Sequence, residues 1–251
     1  MYSIGIDSGS VATKGILFNG KIVKKIIKPT GWNPKEISKN VLNELTQDID
    51  NNEIKTIIGT GYGRLTMDFV DDQITEITCH AKGGYFLNKN IDTILDIGGQ
   101  DSKAIGLTNN GNIKKFVMND KCAAGTGKFL EETMNKIGVT LDKIDEFERP
   151  SDSINISSMC AVFASSEVVS LLAKGTSKNQ IIYGISNSIA KKSINLVSKI
   201  NTNGDVLFTG GLSQSKIIKD SLKEKLNRNI ISNENSQYAG AIGAAIIGFK
   251  K

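Results

Sequence analysis

Two aspartates, Asp7 and Asp96, hold the same place in two similar stretches, "SIGIDSGSVATKGILF" and "TILDIGGQDSKAIGL". Each closes an apolar, strand-like run and opens a glycine-bearing turn. At an offset of 89 residues Asp7 matches Asp96, Gly9 matches Gly98, Lys14 matches Lys103 and Ile16 matches Ile105. These residue types suit one kind of chemistry. Glycine lets backbone N–H groups approach a phosphate, and successive amides form a nest for an anion. An aspartate at a strand end holds Mg2+, usually through water, because that ion gives up its hydration shell reluctantly. Two such turns facing each other across a cleft would grip a polyphosphate from both sides. A further glycine pair, Gly210-Gly211, ends the later run "DVLFTGGLSQ". The Walker pattern fails, since "CAAGTGKF" has Cys122 for its leading Gly and Phe129 for its closing Ser or Thr, and no G-x-G-x-x-G follows a strand.

The elements that must position these residues repeat as well. Both copies meet a turn signal, Asn19-Gly20 and Asn109-Asn110-Gly111, and continue into "KIVKKIIK" and "NIKKFVMND". Asn and Gly tolerate the positive φ that tight hairpins require. Helical periodicity follows in "NPKEISKNVLNELTQDI", with Pro34 near its start, and in "GTGKFLEETMNKIG". Each half then returns to a strand ending in glycine, "IKTIIGTGYGR" and "DVLFTGGLSQ". Each half therefore reads β–turn–β–turn–β–α–β, an α/β arrangement of a mixed sheet with helices on its faces. The second half carries an extra helical stretch, about 161–200. We expect two similar domains, 1–90 and 91–235, with residues 236–251 forming a last helix that packs back on the first.

Composition removes several classes. At 251 residues, with 39% hydrophobic residues and 25 Gly, the chain is neither collagenous nor disordered. No run approaches the roughly 18 apolar residues of a membrane span, and "MYSIGIDSGS" lacks the basic and apolar regions of a signal peptide. Only three of the 31 basic residues are Arg (Arg64, Arg149, Arg228), the lysines are dispersed, and aromatics make up 6%. That argues against a nucleic-acid surface, which wants clustered charge and bidentate Arg. Three cysteines are too few for a disulfide scaffold and leave one over, which fits a reducing, cytoplasmic setting.

The cysteines are Cys79, Cys122 and Cys160, at spacings of 43 and 38 residues that match no C-x-x-C pattern. A four-iron cluster takes four thiolates. Buried cysteines acting as small hydrophobes are one reading. The other starts from position: Cys122 precedes "GTGKFLEETM" and Cys160 precedes "SSEVVSLLAKG", so each stands before a predicted helix, whose N-terminus stabilises thiolates and anionic clusters. A two-fold dimer would supply each site twice. Cys79 and His80 are adjacent in helix-like "TEITCHAKGGYFL". Adjacent residues point to different sides of a helix, so a core Cys beside a capping or nucleotide-distant His is preferred to a zinc pair.

"IGIDSGS", "LDIGGQD" and "FTGGL" resemble the phosphate-1, phosphate-2 and adenosine motifs of the sugar-kinase, actin and heat-shock-chaperone superfamily. With "GTGYGR", "EITCHAKG", "LDIGGQDSK", "MNDKCAAGTGKFLE", "ISSMCAVFASSEVVSLLAKG" and "QYAGAIGAA", nearly the whole chain looks like the ATP-dependent activators of 2-hydroxyacyl-CoA dehydratases, relatives of the ATPase subunits of benzoyl-CoA reductase. The resemblance implies two duplicated ribonuclease-H-like domains, mixed sheets flanked by helices, with a nucleotide cleft between them. It implies ATP, Mg2+ and one [4Fe-4S] cluster per homodimer, held by Cys122 and Cys160 of both chains. It further implies a client dehydratase or reductase and a reduced ferredoxin or flavodoxin as donor. Asp7 would hold hydrated Mg2+. Gly9, Ser10, Val11, Ala12, Thr13 and Lys14 would wrap the phosphates, with Gly98 and Gly99 as the second loop. Gln100 or Asp101 would position the attacking water. Ala124, Gly125 and Gly127 would bring a helix N-terminus to the nucleotide, and Gly210, Gly211 and Gln237 would border the adenosine. Two alternatives stay open at single residues: Asp101 as a turn carboxylate, Lys14 as a surface lysine. Two stay open for the whole: a sugar or acyl kinase, or a non-redox nucleotide-dependent regulator. The chain departs from the resemblance at Val11, where Thr is common, which leaves phosphate contact there to backbone and Ser10, and at Met159 and Ala161, where hydroxyl residues are common beside the cysteine.

Overall fold

The apolar runs become the central strands of two sheets. The computed structural model describes residues 1–119, 125–156, 161–200 and 202–251. In the first half β1 (Tyr2–Ser8) turns back into β2 (Ala12–Phe18), and β2 turns at Gly20 (φ 100°) into β3 (Ile22–Pro29). Helix α1 (Pro34–Thr46) follows, then β4 (Ile54–Thr60), β5 (Asp72–Gln73) and helix α2 (Glu76–Leu87). The second half repeats the pattern with β6 (Ile91–Ile97), β7 (Ser102–Leu107), a turn at Gly111 (φ 70°) and β8 (Ile113–Asn119). Helices α3 (Gly127–Lys136), α4 (Ala161–Ala173) and α5 (Lys178–Val197) precede β9 (Asp205–Gly210). Helix α6 (Lys216–Leu226), β10 (Ile230–Ile231) and helix α7 (Ala239–Lys250) complete the chain.

The sheet orders are β3-β2-β1-β4-β5 and β8-β7-β6-β9-β10, so the two halves share one topology. In each, the hairpin strands pair antiparallel, and the central strand pairs parallel with the strand that returns after the helix. β1 and β6 are buried along nearly all their length, which is why they read as continuous apolar runs. The α/β class and mixed, helix-flanked sheets expected from the repeat are what the structure holds. The extra helical stretch resolves into α4 and α5, separated at Gly175 (φ 78°), where the chain restarts with a capping box between Ser177 and Gln180.

The largest apolar core covers one face of the second sheet, where Phe129 and Met134 of α3, Ile181 and Ile185 of α5, and Ile218 and Leu222 of α6 pack on Leu95 and Phe208. The other face receives α2, through Ala81 against Ile94, Ile105 and Leu207. On the first sheet Ala241, Ile242 and Ala245 of α7 pack on Ile16 and Phe18. Thus α2, from the first half, lies on the second sheet, and α7, from the end of the chain, lies on the first.

The two helices meet backbone to backbone. A Cβ on Gly83 would stand 1.8 Å from the Ala239 carbonyl oxygen, and one on Gly243 would stand 1.8 Å from that of Cys79. No side chain fits at either place. Gly243→Ala is expected to cost about 1–3 kcal/mol through forced separation of the helices. The check is the urea midpoint at unchanged slope; a midpoint equal to wild type would show that the crossing tolerates the methyl.

Candidate active site

The register of the sheets places the two repeat aspartates alike. Asp7, at the end of β1, is opposite Lys14 of β2 and Thr60 of β4; Asp96, at the end of β6, is opposite Lys103 of β7 and Thr209 of β9. Each threonine leads into a glycine with positive φ, Gly61 at 87° and Gly210 at 91°. A Cβ on Gly61 would meet Asp7 Oδ1 at 2.4 Å, and one on Gly210 would meet the Ile97 carbonyl oxygen at 2.2 Å. These glycines bring one strand end under the neighbouring hairpin.

Each hairpin is closed by a main-chain bond, Gly9 N–H to the Ala12 carbonyl (3.2 Å) and Gly98 N–H to the Asp101 carbonyl (2.9 Å). The tips face each other. A Cβ on Gly99 would lie 2.2 Å from Val11 Cγ2 and 3.3 Å from Ser10 Oγ. Ala12 lies between the hairpin tip and Thr13. Thr13 is buried, its hydroxyl spent on Thr30, whose own hydroxyl donates to the Gly9 carbonyl at 2.7 Å. The Lys14 ammonium lies over the hairpin, 3.6 Å from a Cβ position on Gly9.

The second hairpin is clamped from behind. Gly127 and Lys128, in the first turn of α3, donate their N–H groups to the Gly98 and Gly99 carbonyls at 2.8 and 2.9 Å. Ser102 Oγ donates to the Gly125 carbonyl at 2.7 Å. Two N-terminal amides of α3, those of Gly127 and Lys128, are therefore spent on the hairpin's carbonyls. Gly211 is open, with nothing within 4 Å of a Cβ position. Gln237 lies in a short 3-10 helix, Ser236–Tyr238, that packs beside β9. Ala124, Cys122 and Cys160 lie outside the described residues.

The matched aspartates differ in their neighbours. Asp96 Oδ1 accepts from Thr209 Oγ1 at 2.9 Å and from His80 Nε2 at 3.3 Å, while Lys103 Nζ stands 3.5 Å from Oδ2. Lys103 is 1% exposed and also holds Glu76 Oε1 and Asp101, each at 2.8 Å. Asp7 is buried as deeply, yet its Oδ1 has no hydrogen-bond partner, and neither has Ser8 Oγ beside it. A buried carboxylate oxygen left bare invites a cation, so the donor set around Asp7 fits a hydrated Mg2+. Glu76, His80 and Asp96 also converge closely enough for a metal. There the cation position is already taken by the Lys103 ammonium.

The sequence pattern of the BadF/BadG/BcrA/BcrD ATPase family matches residues 4–248. The chain belongs to this family. It is similar to the (R)-2-hydroxyglutaryl-CoA dehydratase activating ATPase of Acidaminococcus fermentans, at 40% identity over 100% of this chain and 98% of that one. It is similar also to the activator of the 2-hydroxyisocaproyl-CoA dehydratase from Clostridium difficile, solved with bound ADPNP, at 37% identity and a TM-score of 0.93 over 100% and 95% of the chains. A ROK family glucokinase from Streptomyces griseus, at 11% identity and a TM-score of 0.62 over the whole of both chains, shares the fold. The family and the two-domain, sugar-kinase-like fold expected from the motifs are thereby borne out. Among the described residues no helix is long and apolar enough to cross a membrane.

In this BadF/BadG/BcrA/BcrD ATPase the sequence reading missed Glu76 and His80 as members of the charge network. His80 is neither a helix cap nor remote from the cleft. Its Nδ1 faces the Glu76 carbonyl at 3.1 Å and its Nε2 faces Asp96. Both neighbours only accept, so both ring nitrogens carry protons. Burial opposes that charge, but Asp96 outweighs it and raises the imidazole to about 9. Burial likewise opposes the charged forms of its partners. His80 and Lys103 nevertheless hold Asp96 well below the carboxylate range, and Asp96, Glu76 and Asp101 hold Lys103 above the lysine range. At Asp101 burial wins over Lys103 and the carboxyl is raised. Cys79 is a core thiol, pushed up to about 12 by burial. The available signal was spacing: Glu76 and His80 are four apart, on one face of α2.

A raised histidine stabilises the fold below its unfolded value of about 6.5, and the contribution is lost as pH rises through about 9. The stability advantage of wild type over His80→Gln should shrink by on the order of 3 kcal/mol across that window. Urea unfolding of both proteins at a series of pH values measures it; a constant difference would show that His80 is neutral in the fold.

Proposed function

We propose that this ATPase is an iron–sulfur activator that passes a low-potential electron to a 2-hydroxyacyl-CoA dehydratase or a related reductase. The observation that carries the reading is the clamp of Gly127 and Lys128 on the Gly98 and Gly99 carbonyls. It joins the second hairpin directly to the helix that begins five residues after Cys122. Helix α4 likewise begins at the residue after Cys160. A change at the phosphates thus has a main-chain route toward the cysteines.

The donor set fits half a cluster: Cys122 and Cys160 supply two thiolates per chain, and a homodimer supplies four. The cluster would carry one electron from a reduced ferredoxin or flavodoxin to the client. Units 1–90 and 91–235, with 236–251 on the first, would be the two lobes of the cleft; α2, which packs on the second sheet, would travel with the second lobe and α7 with the first, so that motion between the lobes would turn about the α2–α7 crossing. Both relatives reported above are named as activators of dehydratases, each for a different acyl-CoA.

In the cleft, Asp7 would hold hydrated Mg2+, while Ser10, the backbone from Gly9 to Thr13, and the Lys14 ammonium receive the phosphates. Gly98 and Gly99 would close on them from the other side, and Gly210, Gly211 and Gln237 would border the adenosine. Asp101 is committed to Lys103, whereas the exposed Gln100 has no bonded partner among the described residues. We therefore assign Gln100 as the group that orients the attacking water, since positioning dominates phosphoryl transfer.

Gln100→Ala is expected to lower kcat for ATP hydrolysis by about a hundredfold while KM moves less than about threefold. Unchanged turnover would reassign the role. Purified without oxygen, the protein should be a brown dimer with about two irons per chain. Cys122→Ser or Cys160→Ser should remove iron and colour together. A colourless double variant that still activates a client dehydratase would overturn the reading.

A further inference from the structure

The ion pairs of Lys103 carry a consequence for motion. Asp96 already accepts from His80 and Thr209, and its oxygen is the most distant of the three carboxylates around Lys103, at 3.5 Å. The two contacts at 2.8 Å, to Glu76 and Asp101, are the ones that locate the ammonium. Glu76 belongs to the first turn of α2 and Asp101 to the tip of the second hairpin, beside Gln100. One buried cation therefore spans from the cleft to the helix. The repeat-related Lys14 has no ion pair among the described residues, and α7 opens with Ala239 and Gly240, which offer no carboxylate in return. The bridge exists in one half only. Along α2 from Glu76, one turn leads to Cys79, whose carbonyl faces Gly243, and another to Gly83, which faces Ala239.

We propose that Glu76 is a positioning residue which ties α2 to the second hairpin through Lys103, so that the nucleotide state of the cleft is transmitted to the α2–α7 crossing. The inference rests on the ATPase reading above. When a γ-phosphate fills the cleft, Asp101 is held by its hairpin and Lys103 keeps Glu76, and with it α2, in one place. When the phosphate leaves, the hairpin relaxes and the start of α2 is freed. Glu76 is bonded to Lys103 and lies on α2, outside both hairpins, so its loss should spare binding and disturb transmission.

Glu76→Gln is the cleanest variant. The set of buried Lys103, protonated His80 and Asp96 with the half-buried Asp101 and Glu76 holds two cations against three carboxylates. The amide leaves two against two, so no unpaired cation is created. Glu76→Ala removes the acceptor outright and gives a second reading if the amide still holds Lys103. The experiment is amide hydrogen exchange of the full chain with Mg-ADP and with Mg-ADPNP, alongside steady-state ATP hydrolysis. In wild type, exchange across residues 76–87 should slow about tenfold with ADPNP relative to ADP, within the roughly 5–150-fold span of an ordinary coupling between sites. In both variants the difference should fall below about twofold while the KM for ATP stays within about threefold of wild type. A merely structural role at the helix start would raise exchange equally in both nucleotide states, and that result overturns the proposal. So does a variant that keeps the tenfold difference, or a wild type that hydrolyses ATP and shows none. A wild-type chain that hydrolyses no ATP would instead bring down the reading beneath it.

Discussion

A carboxylate taken out of water has to be neutralised, and the two halves of this chain meet that demand in opposite ways. Asp7 and Asp96 occupy one register position in one topology, each opposite a lysine and a threonine. Leaving such a charge unpaired in the interior costs several kcal/mol. Asp96 satisfies the demand within the fold, with Thr209, protonated His80 and Lys103. Asp7 leaves an oxygen bare, and in the proposed role its demand would fall on a cation entering with the substrate. Duplication supplied two equivalent sites. Saturating one with side chains makes it structural and leaves the other with a bare oxygen, which fits the proposed cation.

The same division decides where the halves touch. Close approach of main chain to main chain needs glycine on at least one side. The structure uses it at the α2–α7 crossing and at Gly61 and Gly210 beneath the hairpins, and the bare Gly99 main chain takes the Val11 side chain in the same way. Such contacts are short and shape-specific, so they favour discrete arrangements over continuous bending. Between the hairpins the contact is Gly99 on the methyl of Val11, a packing contact with no hydrogen bond of its own to break. Valine brings no hydroxyl to that contact, so in the proposed role the phosphates would be left to Ser10 and to backbone amides.

The strand and hairpin framework was legible because it is written locally. Apolar runs ending in aspartate, Asn-Gly turns and a Pro at a helix start each act over a few residues, and all of them appear where read. The repeat showed that Asp96 and Lys103 correspond to Asp7 and Lys14. It could not show that the pairs would diverge, because the divergence comes from α2, whose Glu76 and His80 reach across to the second sheet. That contact depends on α2 and α7 exchanging sheets, a tertiary fact with no local signature. Adjacency made Cys79 and His80 look like one feature, yet the helix turns them apart, one into the α2–α7 core and the other onto Asp96. The clamp on the second hairpin was hidden for a similar reason. A glycine-rich helix start reads as an anion site from spacing alone, and only the register of α3 shows its amides spent on Gly98 and Gly99.

What the clamp cannot do is set by the energy of the task. In the electron-transfer role proposed above, lowering the potential of one electron by a few hundred millivolts would need on the order of 7 kcal/mol of differential stabilisation. A single hydrogen bond contributes about 1 kcal/mol net, so two main-chain bonds to the hairpin cannot be the source. They are main-chain connectors, insensitive to side-chain identity, that tie the start of α3 to the hairpin. In that proposed role the energy would have to come from phosphates and their cation filling the bare half of the site, where the carboxylate oxygen of Asp7 has no partner within the fold. A cleft with both aspartates already neutralised would bind nucleotide with little to gain on closing. One with neither neutralised would lack a rigid second loop to close against. The asymmetry between Asp7 and Asp96 supplies both a charge to be satisfied and a fixed surface to push on.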